Sequence, residues 1–302
     1  MQIVGLIGAG IMGTPMTRTL LRGGYTVNVF DTNKEHVAAL VADGAVAKNS
    51  AKEVGEASDV IITMLPNSKI VEAVMFGENG LYQGLSKGKI YVDMSSSDYA
   101  SNQMISEKLK AIDVPMLDAP VTGSVKGAEE GTLTIMVGGA AETLEQVRPV
   151  LETLGSKLIH VGPIGSADIA KACNQLLFAM NTAAVSEVMA LSAKAGLDPA
   201  MLMTIVSNGS GESYAGRVKT VNFTFKRNFK PGFTVNLMAK DVDIALNMAR
   251  NLQVPLKLGT LVRENLRVAQ NKGYALDDCS SVARLIEEDA DVVIQPFADK
   301  EN

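Results

Sequence analysis

The sequence predicts an α/β half followed by an all-helical half, with one long helix joining them. Three observations carry this. From residue 3 onward, short apolar strands alternate with helical stretches up to about residue 161. The stretch GSADIAKACNQLLFAMNTAAVSEVMALSAKAG, from Gly165 to Gly196, reads as a single helix. Beyond Gly196 helical spacing dominates and strand patterns are few. The expected division is 1–163 for a doubly wound sheet and 164–302 for a helical domain, the joining helix running from about 166 to 195.

The first strand is IVGLI at 3–7, and Gly8-Ala9-Gly10-Ile11-Met12-Gly13 follows it. This fits G-x-G-x-x-G in its full context, with a helix from Thr14 to Arg22 behind it, a second strand from Tyr25 to Phe30, and Asp31 at that strand's end. Such a unit binds a dinucleotide: Gly8 permits the tight turn, Gly10 lets the pyrophosphate approach the backbone, and Gly13 lets helix and strand pack. The helix N-terminus then faces the phosphates, with Ile11 and Met12 in the turn. Asp31 would accept from the ribose hydroxyls and repel a 2′-phosphate, which favours NAD over NADP. No Arg follows in Asp31-Thr32-Asn33-Lys34, although Lys34 is near. The first half is therefore expected to be Rossmann-like.

Further strands are expected at 59–64, 90–93, 114–118, 132–137 and 157–161. Three run into loops: Leu65-Pro66-Asn67, Met94-Ser95-Ser96-Ser97, and Ala119-Pro120-Val121-Thr122-Gly123-Ser124. The carboxyl ends of strands in a doubly wound sheet line the ligand crevice. The hydroxyls and backbone N–H groups of Thr122, Gly123 and Ser124 suit a carboxylate. Gly162-Pro163-Ile164-Gly165 leads into the long helix, and Lys194 and Gly196 close it. That helix is apolar almost all round, which predicts burial. Against this background stand Lys171, Asn174 and Gln175 on one face, with Asn181 at its edge.

Helices are then expected near 198–208 (Asp198 as N-cap, Pro199 at N1), 212–222, 234–252, 256–272 and 278–288. A loop at 228–233, ending on Phe233, feeds the helix that carries Lys240 and Asp241. The polar residues from about Asp299 are expected to fray.

Composition narrows the function classes. A chain of 302 residues with 47% hydrophobic residues has room for two cores. Net charge −5 and pI near 5.2 speak against non-specific nucleic-acid binding. No apolar run is expected to be long enough to span a bilayer, and a first strand starting at Gln2 is expected to leave no room for a signal or transit peptide. Cys173 and Cys279, far apart in sequence, read as reduced core residues, which suits the cytosol. The two histidines, His36 and His160, give no metal-site spacing, and no metal is expected. His36 falls in an early surface helix and His160 at a strand end, so neither is the expected catalyst.

The chain resembles the β-hydroxyacid dehydrogenases, the family of the 3-hydroxyisobutyrate, tartronate semialdehyde and 2-(hydroxymethyl)glutarate enzymes. The likeness covers nearly the whole chain. It rests on GLIGAGIMGTPM at 5–16, TMLPNS at 63–68, VDMSS at 92–96, DAPVTGS at 118–124, GTLTIMVGG at 131–139, KACNQ at 171–175 and KPGFTVNLMAKD at 230–241. The resemblance implies Lys171 as the acid/base and Asn174 as the group that positions substrate. It implies Thr122-Gly123-Ser124 as the carboxylate loop, with Phe233, Lys240 and Asp241 as further substrate contacts. It implies Leu65, Pro66, Ser96 and Lys240 alongside the dinucleotide. Three departures stand out: Thr122-Gly123-Ser124 where Ser-Gly-Gly is usual, Asn174-Gln175 where many members have two Asn, and Ala167 where a second glycine is common.

The resulting expectation is a cytoplasmic, NADH-preferring oxidoreductase interconverting a short 3-hydroxy acid and its semialdehyde. A small helical domain that completes its core against a copy suggests a homodimer or homotetramer. The competing readings are a 6-phosphogluconate dehydrogenase-like decarboxylase, which would carry a His-Asn pair after its lysine, and a non-catalytic dinucleotide-binding scaffold, which should have lost Lys171.

Overall fold

The computed structural model describes residues 2–230 and 232–297. Pro231 of the 228–233 loop and the tail from Asp299, with its expected fraying, lie outside the described residues. Contacts divide the chain into two units, Met1–Lys171 and Ala172–Asn302.

In the first unit the strands are β1 (Ile3–Ile7), β2 (Thr26–Phe30), β3 (Val46–Ala47), β4 (Val60–Thr63), β5 (Ile90–Asp93), β6 (Met116–Asp118), β7 (Val121–Thr122), β8 (Thr134–Gly138) and β9 (Lys157–Gly162). Its helices are α1 (Gly13–Arg22), α2 (Lys34–Ala42), α3 (Ala51–Ala57), α4 (Ser68–Phe76), α5 (Tyr99–Lys110), α6 (Ser124–Glu130) and α7 (Ala141–Leu154). The sheet order is β3-β2-β1-β4-β5-β6-β8-β7, with β9 on β8. Pairing is parallel from β3 through β6. Both β6 and β7 then pair antiparallel with β8, and β9 pairs parallel with it.

The strands are near-continuous apolar runs because both sheet faces are covered. Their side chains alternate between two cores. Val4, Leu6, Val60 and Ile62 face Met16 and Leu20 of α1 and Val147 and Leu151 of α7. Ile7 and Ile61 face Val54, Val71, Met75 and Ile105 on α3, α4 and α5. Chain order reverses between β1 and β4, so the loops after these two strands flank the switch point where such sheets take their ligands. Every strand expected from the sequence is present within a few residues. The two-residue strands β3 and β7 were not expected, because so short a run carries no periodicity. Of these, β7 matters, since it holds Thr122 opposite Thr134.

The long helix is α8 (Ser166–Lys194). Gly196 ends it at φ +84, and the amides of Gly196 and Leu197 bond back to Ala193 and Ser192. By length and composition α8 could cross a bilayer, which corrects the expectation that no such run exists. Of its most apolar window, 44% is buried in the protein. It is not buried all round: Leu177 and Leu191 are 57% and 70% exposed. Cys173 is exposed too, contrary to the core position expected, whereas Cys279 is buried.

The second unit adds α9 (Pro199–Asn208), α10 (Val235–Asn251), α11 (Lys257–Ala269) and α12 (Ala283–Ala290). Asp198 caps α9 by accepting from the Ala200 amide, with Pro199 at the first position, as its sequence predicts. The helix expected at 212–222 is a wide, i→i+5 helix over Ala215–Thr224. Met189, Ala190, Met203, Ala283 and Ile294 form a core of this unit.

Candidate active site

The glycine turn between β1 and α1 has three different spatial demands. A Cβ on Gly8, at φ +105, would sit 2.3 Å from the Met64 carbonyl oxygen, and one on Gly13 would sit 1.7 Å from the Gly8 oxygen. A Cβ on Gly10 would meet nothing within 4 Å. Gly8 and Gly13 are therefore required by the fold itself. Gly10 keeps open a backbone surface beside which Ile11 stands 74% exposed, and this suits a dinucleotide pyrophosphate laid against the turn. Met12 packs on the core below. Asp31 ends β2 as expected, but its carboxylate also braces the turn: Oδ2 accepts from the Ala9 amide at 2.6 Å and Oδ1 from the Asn33 amide at 2.7 Å.

At the switch point Leu65 donates its amide to the Ser95 hydroxyl at 2.9 Å, tying the loop after β4 to the loop after β5. Asn67 caps α4 through the Ile70 amide and so fixes the end of Leu65-Pro66; such a cap contributes about 1 kcal/mol. Ser96 is half-buried, between Ser95 and Ser97, whose side chains both turn inward.

Behind these loops lies a buried polar network that sequence reasoning missed. Asp93 accepts from Thr63 Oγ1 at 2.7 Å, Ser97 Oγ at 2.7 Å and Asn102 Nδ2 at 3.1 Å. The same Asn102 amide donates to Asp168 Oδ2 at 2.8 Å. Asp118 accepts the amides of Gly165, Ala167 and Asp168, which closes the start of α8 onto the end of β6. Burial pushes the Asp168 carboxyl well above the usual carboxylate range, and the neighbouring Asp118 and Asp93 push it further. Burial also raises Asp118, against the pull of its backbone donors. The available signal was an aspartate closing each of two adjacent parallel strands, in VDMSS and DAPVTGS.

Lys171 is buried on α8, and its Nζ donates to the Val121 carbonyl oxygen at 2.9 Å. That places the ammonium beside the residue that leads into Thr122, Gly123 and Ser124. These three are exposed. Gly123 takes φ +139 and Ser124 takes φ +64, a left-handed conformation that strains a residue with a Cβ. The glycine usual at position 124 in the resembling family would adopt it freely.

In the second unit Asn174 is exposed and Gln175 buried, with Asn174 Nδ2 donating to Gln175 Oε1 at 3.1 Å. Gln175 Nε2 donates to Asp241 Oδ2 at 2.8 Å. Lys240 pairs with Asp241 at 3.0 Å. Phe233 is half-buried with its ring centroid 6.3 Å from that of Phe178, which meets Tyr214 edge-on. The loop bearing Phe233 is pinned by buried Asp278, which accepts the Gly232 and Phe233 amides and the Lys219 ammonium. Asn181, at the edge of the predicted polar face, is half-buried. His36 is exposed on α2, and His160 on β9 is exposed with its ring at the Gly139 carbonyl. Among the described residues no cluster of His, Cys, Asp and Glu could hold a metal ion.

Residues 3–162 match the family model for the NAD binding domain of 6-phosphogluconate dehydrogenase. Residues 165–286 match that for the NAD-binding region of NADP-dependent 3-hydroxyisobutyrate dehydrogenase. Together with the glycine turn they define a nicotinamide-dependent dehydrogenase built from a Rossmann-like sheet domain and a helical domain. The chain belongs to the β-hydroxyacid dehydrogenase family. It is 38% identical to 2-(hydroxymethyl)glutarate dehydrogenase of Eubacterium barkeri, covering 94% of this chain and 95% of that one. It is 39% identical to 2-hydroxy-3-oxopropionate reductase of Escherichia coli, covering 93% and 96%. Among solved structures it resembles Mycobacterium tuberculosis 3-hydroxyisobutyrate dehydrogenase with L-serine, at TM-score 0.89 and 30% identity over 95% of this chain and 99% of that one.

Proposed function

We propose that this chain interconverts a short, carboxylate-bearing 3-hydroxy acid and its semialdehyde, with NADH preferred over NADPH and Lys171 as the general acid/base. The observation that carries the reading is the Lys171 ammonium bonded to the Val121 carbonyl at 2.9 Å. It brings the proton-carrying group next to the Thr122-Gly123-Ser124 turn within one unit of the fold.

The nicotinamide dinucleotide supplies or receives the hydride. Gly8, Gly10, Ile11, Met12 and Gly13 would hold its pyrophosphate, Asp31 its ribose, and Leu65, Pro66, Ser96 and Lys240 its remaining length. Asp31 supports the preference for NADH, since a carboxylate at the end of β2 repels a 2′-phosphate. Thr122, Gly123 and Ser124 anchor the substrate carboxylate through a hydroxyl and backbone N–H donors. Asn174 positions the reacting oxygen, and Phe233 and Lys240 complete the substrate contacts. Lys171 gives a proton to the carbonyl oxygen during reduction and takes the hydroxyl proton during oxidation.

Residues 1–163 then serve most of the cofactor and the substrate carboxylate, and 164–302 serve the remaining substrate contacts and self-association. Exposed Leu177 and Leu191 on α8, Ile205 on α9 and Leu258 and Leu261 on α11 support a homodimer or homotetramer. Two free cysteines support a cytosolic location. The names of the relatives add candidates: 2-hydroxy-3-oxopropionate, 3-hydroxyisobutyrate, 2-(hydroxymethyl)glutarate and L-serine, all small acids with a reducible carbonyl or a 3-hydroxyl.

The test is NADH or NADPH turnover with these acids or their semialdehydes, beside succinate semialdehyde and propanal. Equal kcat/KM for propanal and a three-carbon semialdehyde acid would remove the carboxylate anchor. Higher kcat/KM with NADPH would remove the cofactor preference. NADH binding without turnover on any of them would leave a scaffold.

A further inference from the structure

The segment DAPVTGS at 118–124 and the start of α8 meet at two points, both within the first unit. The first is the buried Asp118 carboxylate. Its Oδ1 accepts the Gly165 amide at 2.8 Å, and its Oδ2 accepts those of Ala167 and Asp168 at 3.0 and 3.1 Å. The first amides of a helix have no partner within it, so a carboxylate that takes up this set fixes where α8 begins. Gly138, opposite Asp118 across β6 and β8, leaves room for it: a Cβ there would sit 2.3 Å from Asp118 Oδ1. The second point is the bond from Lys171 Nζ to the Val121 carbonyl at 2.9 Å. The spacing is the same on both sides, 118 to 121 along the strand end and 168 to 171 along the helix. On a helix, residues i and i+3 share a face, and each side chain leans toward the N-terminus. Lys171 therefore leans back over the turn that Asp118 holds.

The proposed function uses Val121 to Ser124 and leaves Asp118 without a part. We infer that Asp118 is a positioning residue, which sets α8 in register on β6 and so places the Lys171 ammonium at the carboxylate loop. This rests on the proposed role of Lys171 as the acid/base. The loop has supports of its own. Ala119 donates its amide to the Asp93 carbonyl at 2.6 Å, Met136 donates its amide to the Pro120 carbonyl at 3.1 Å, and Thr122 pairs with Thr134. The first turn of α8 has a further tie, from Asn102 to Asp168. Without the Asp118 carboxylate the loop stays in place and α8 stays docked, but the helix loses what fixes its place along the strand end. The acid/base then shifts against a substrate whose carboxylate is still held. Rates are steep in such shifts: about 1 Å can cost on the order of 10²-fold.

A double-mutant cycle tests it. In Asp118→Asn the side chain accepts at one end only, and its NH2 end faces at least one amide donor. The substitution should lower kcat roughly 10–100-fold, with substrate KM and NADH affinity within about threefold of wild type. In a Lys171→Ala background the same change should lower the residual kcat by less than about twofold, because the group it places is gone. General damage to the fold would lower kcat in both backgrounds alike. Gly138→Ala is the second arm. It keeps the carboxylate but drives it off the Gly165 amide, and it should lower kcat with the same dependence on Lys171. If Asp118→Asn does not fold, the cycle of Gly138→Ala with Lys171→Ala decides on the same terms. Wild-type kcat in a folded Asp118→Asn enzyme, or an equal factor in both backgrounds, would overturn the positioning role alone. Wild-type kcat for Lys171→Ala would remove the acid/base reading and the positioning role with it.

Discussion

Lys171 and Gly10 are single residues whose fold and chemical duties can be separated by measurement. Lys171→Ala removes the proposed proton carrier and leaves the Gly8–Gly13 turn intact. NADH should bind normally, while kcat falls by about 10²–10⁴, the usual contribution of general acid–base catalysis. Lys171→Arg should fail as well, since a guanidinium does not give up its proton at working pH. A Lys171→Ala enzyme that keeps more than about a tenth of kcat would move the role elsewhere, with Lys240 the next candidate. Gly10→Ala tests the cofactor surface. Its Cβ meets no protein atom, so thermal stability should hold within a few tenths of a kcal/mol, while NADH affinity falls at least about tenfold. Tight NADH binding by that variant would show that the pyrophosphate does not approach there. Each of these residues stands out in the sequence because its neighbours in the chain mark its position. Asp31 was legible only in part: its place at the end of β2 followed from the strand pattern, but its bond to the Ala9 amide depends on how two separate loops fold together.

At the scale of the element, the start of α8 depends on the buried carboxyls at the end of β6 and within its own first turn. Asp118 takes three backbone amides there, while Asp168 Oδ1 is buried without a hydrogen bond. An aspartate whose folded pKa is raised holds an extra proton in the native state between its unfolded and folded values. Stability therefore falls as pH climbs through that window and stays lower above it. The near-isosteric Asp168→Asn removes this titration. Its melting temperature should exceed that of wild type at about pH 7.5, and the gain should shrink toward about pH 4, where the unfolded carboxyl also protonates. An equal change at both pH values would mean that Asp168 is not held protonated in the fold. Helix α8 itself was readable from its caps and spacing, whereas its partners were not. Asn102 and Asp93 lie 66 and 75 residues before Asp168, and no local pattern links them to it.

Across the whole molecule the two cysteines report on folding independently of activity. Cys173 is exposed on α8, and Cys279 is buried, its thiol pushed well up by burial. A thiol reagent should titrate one cysteine rapidly in the native protein and the second only as the chain opens. Two fast thiols would mean that the turn preceding α12 is open in solution. The sequence by itself determined the alternation of strands and helices, the glycine turn, the position of α8 and the helical character of the chain beyond it. Each of these is written in near neighbours, as a period, a cap or a short motif. Tertiary structure alone decided that one side of the apolar α8 stays exposed, that Cys173 lies outside the core, and that Asp93, Asn102 and Asp168 share one buried network. It also decided that Gln175 joins Asn174 to Asp241. Burial and side-chain pairing depend on which distant segments pack together, and helical periodicity records which residues share a face without recording what covers it.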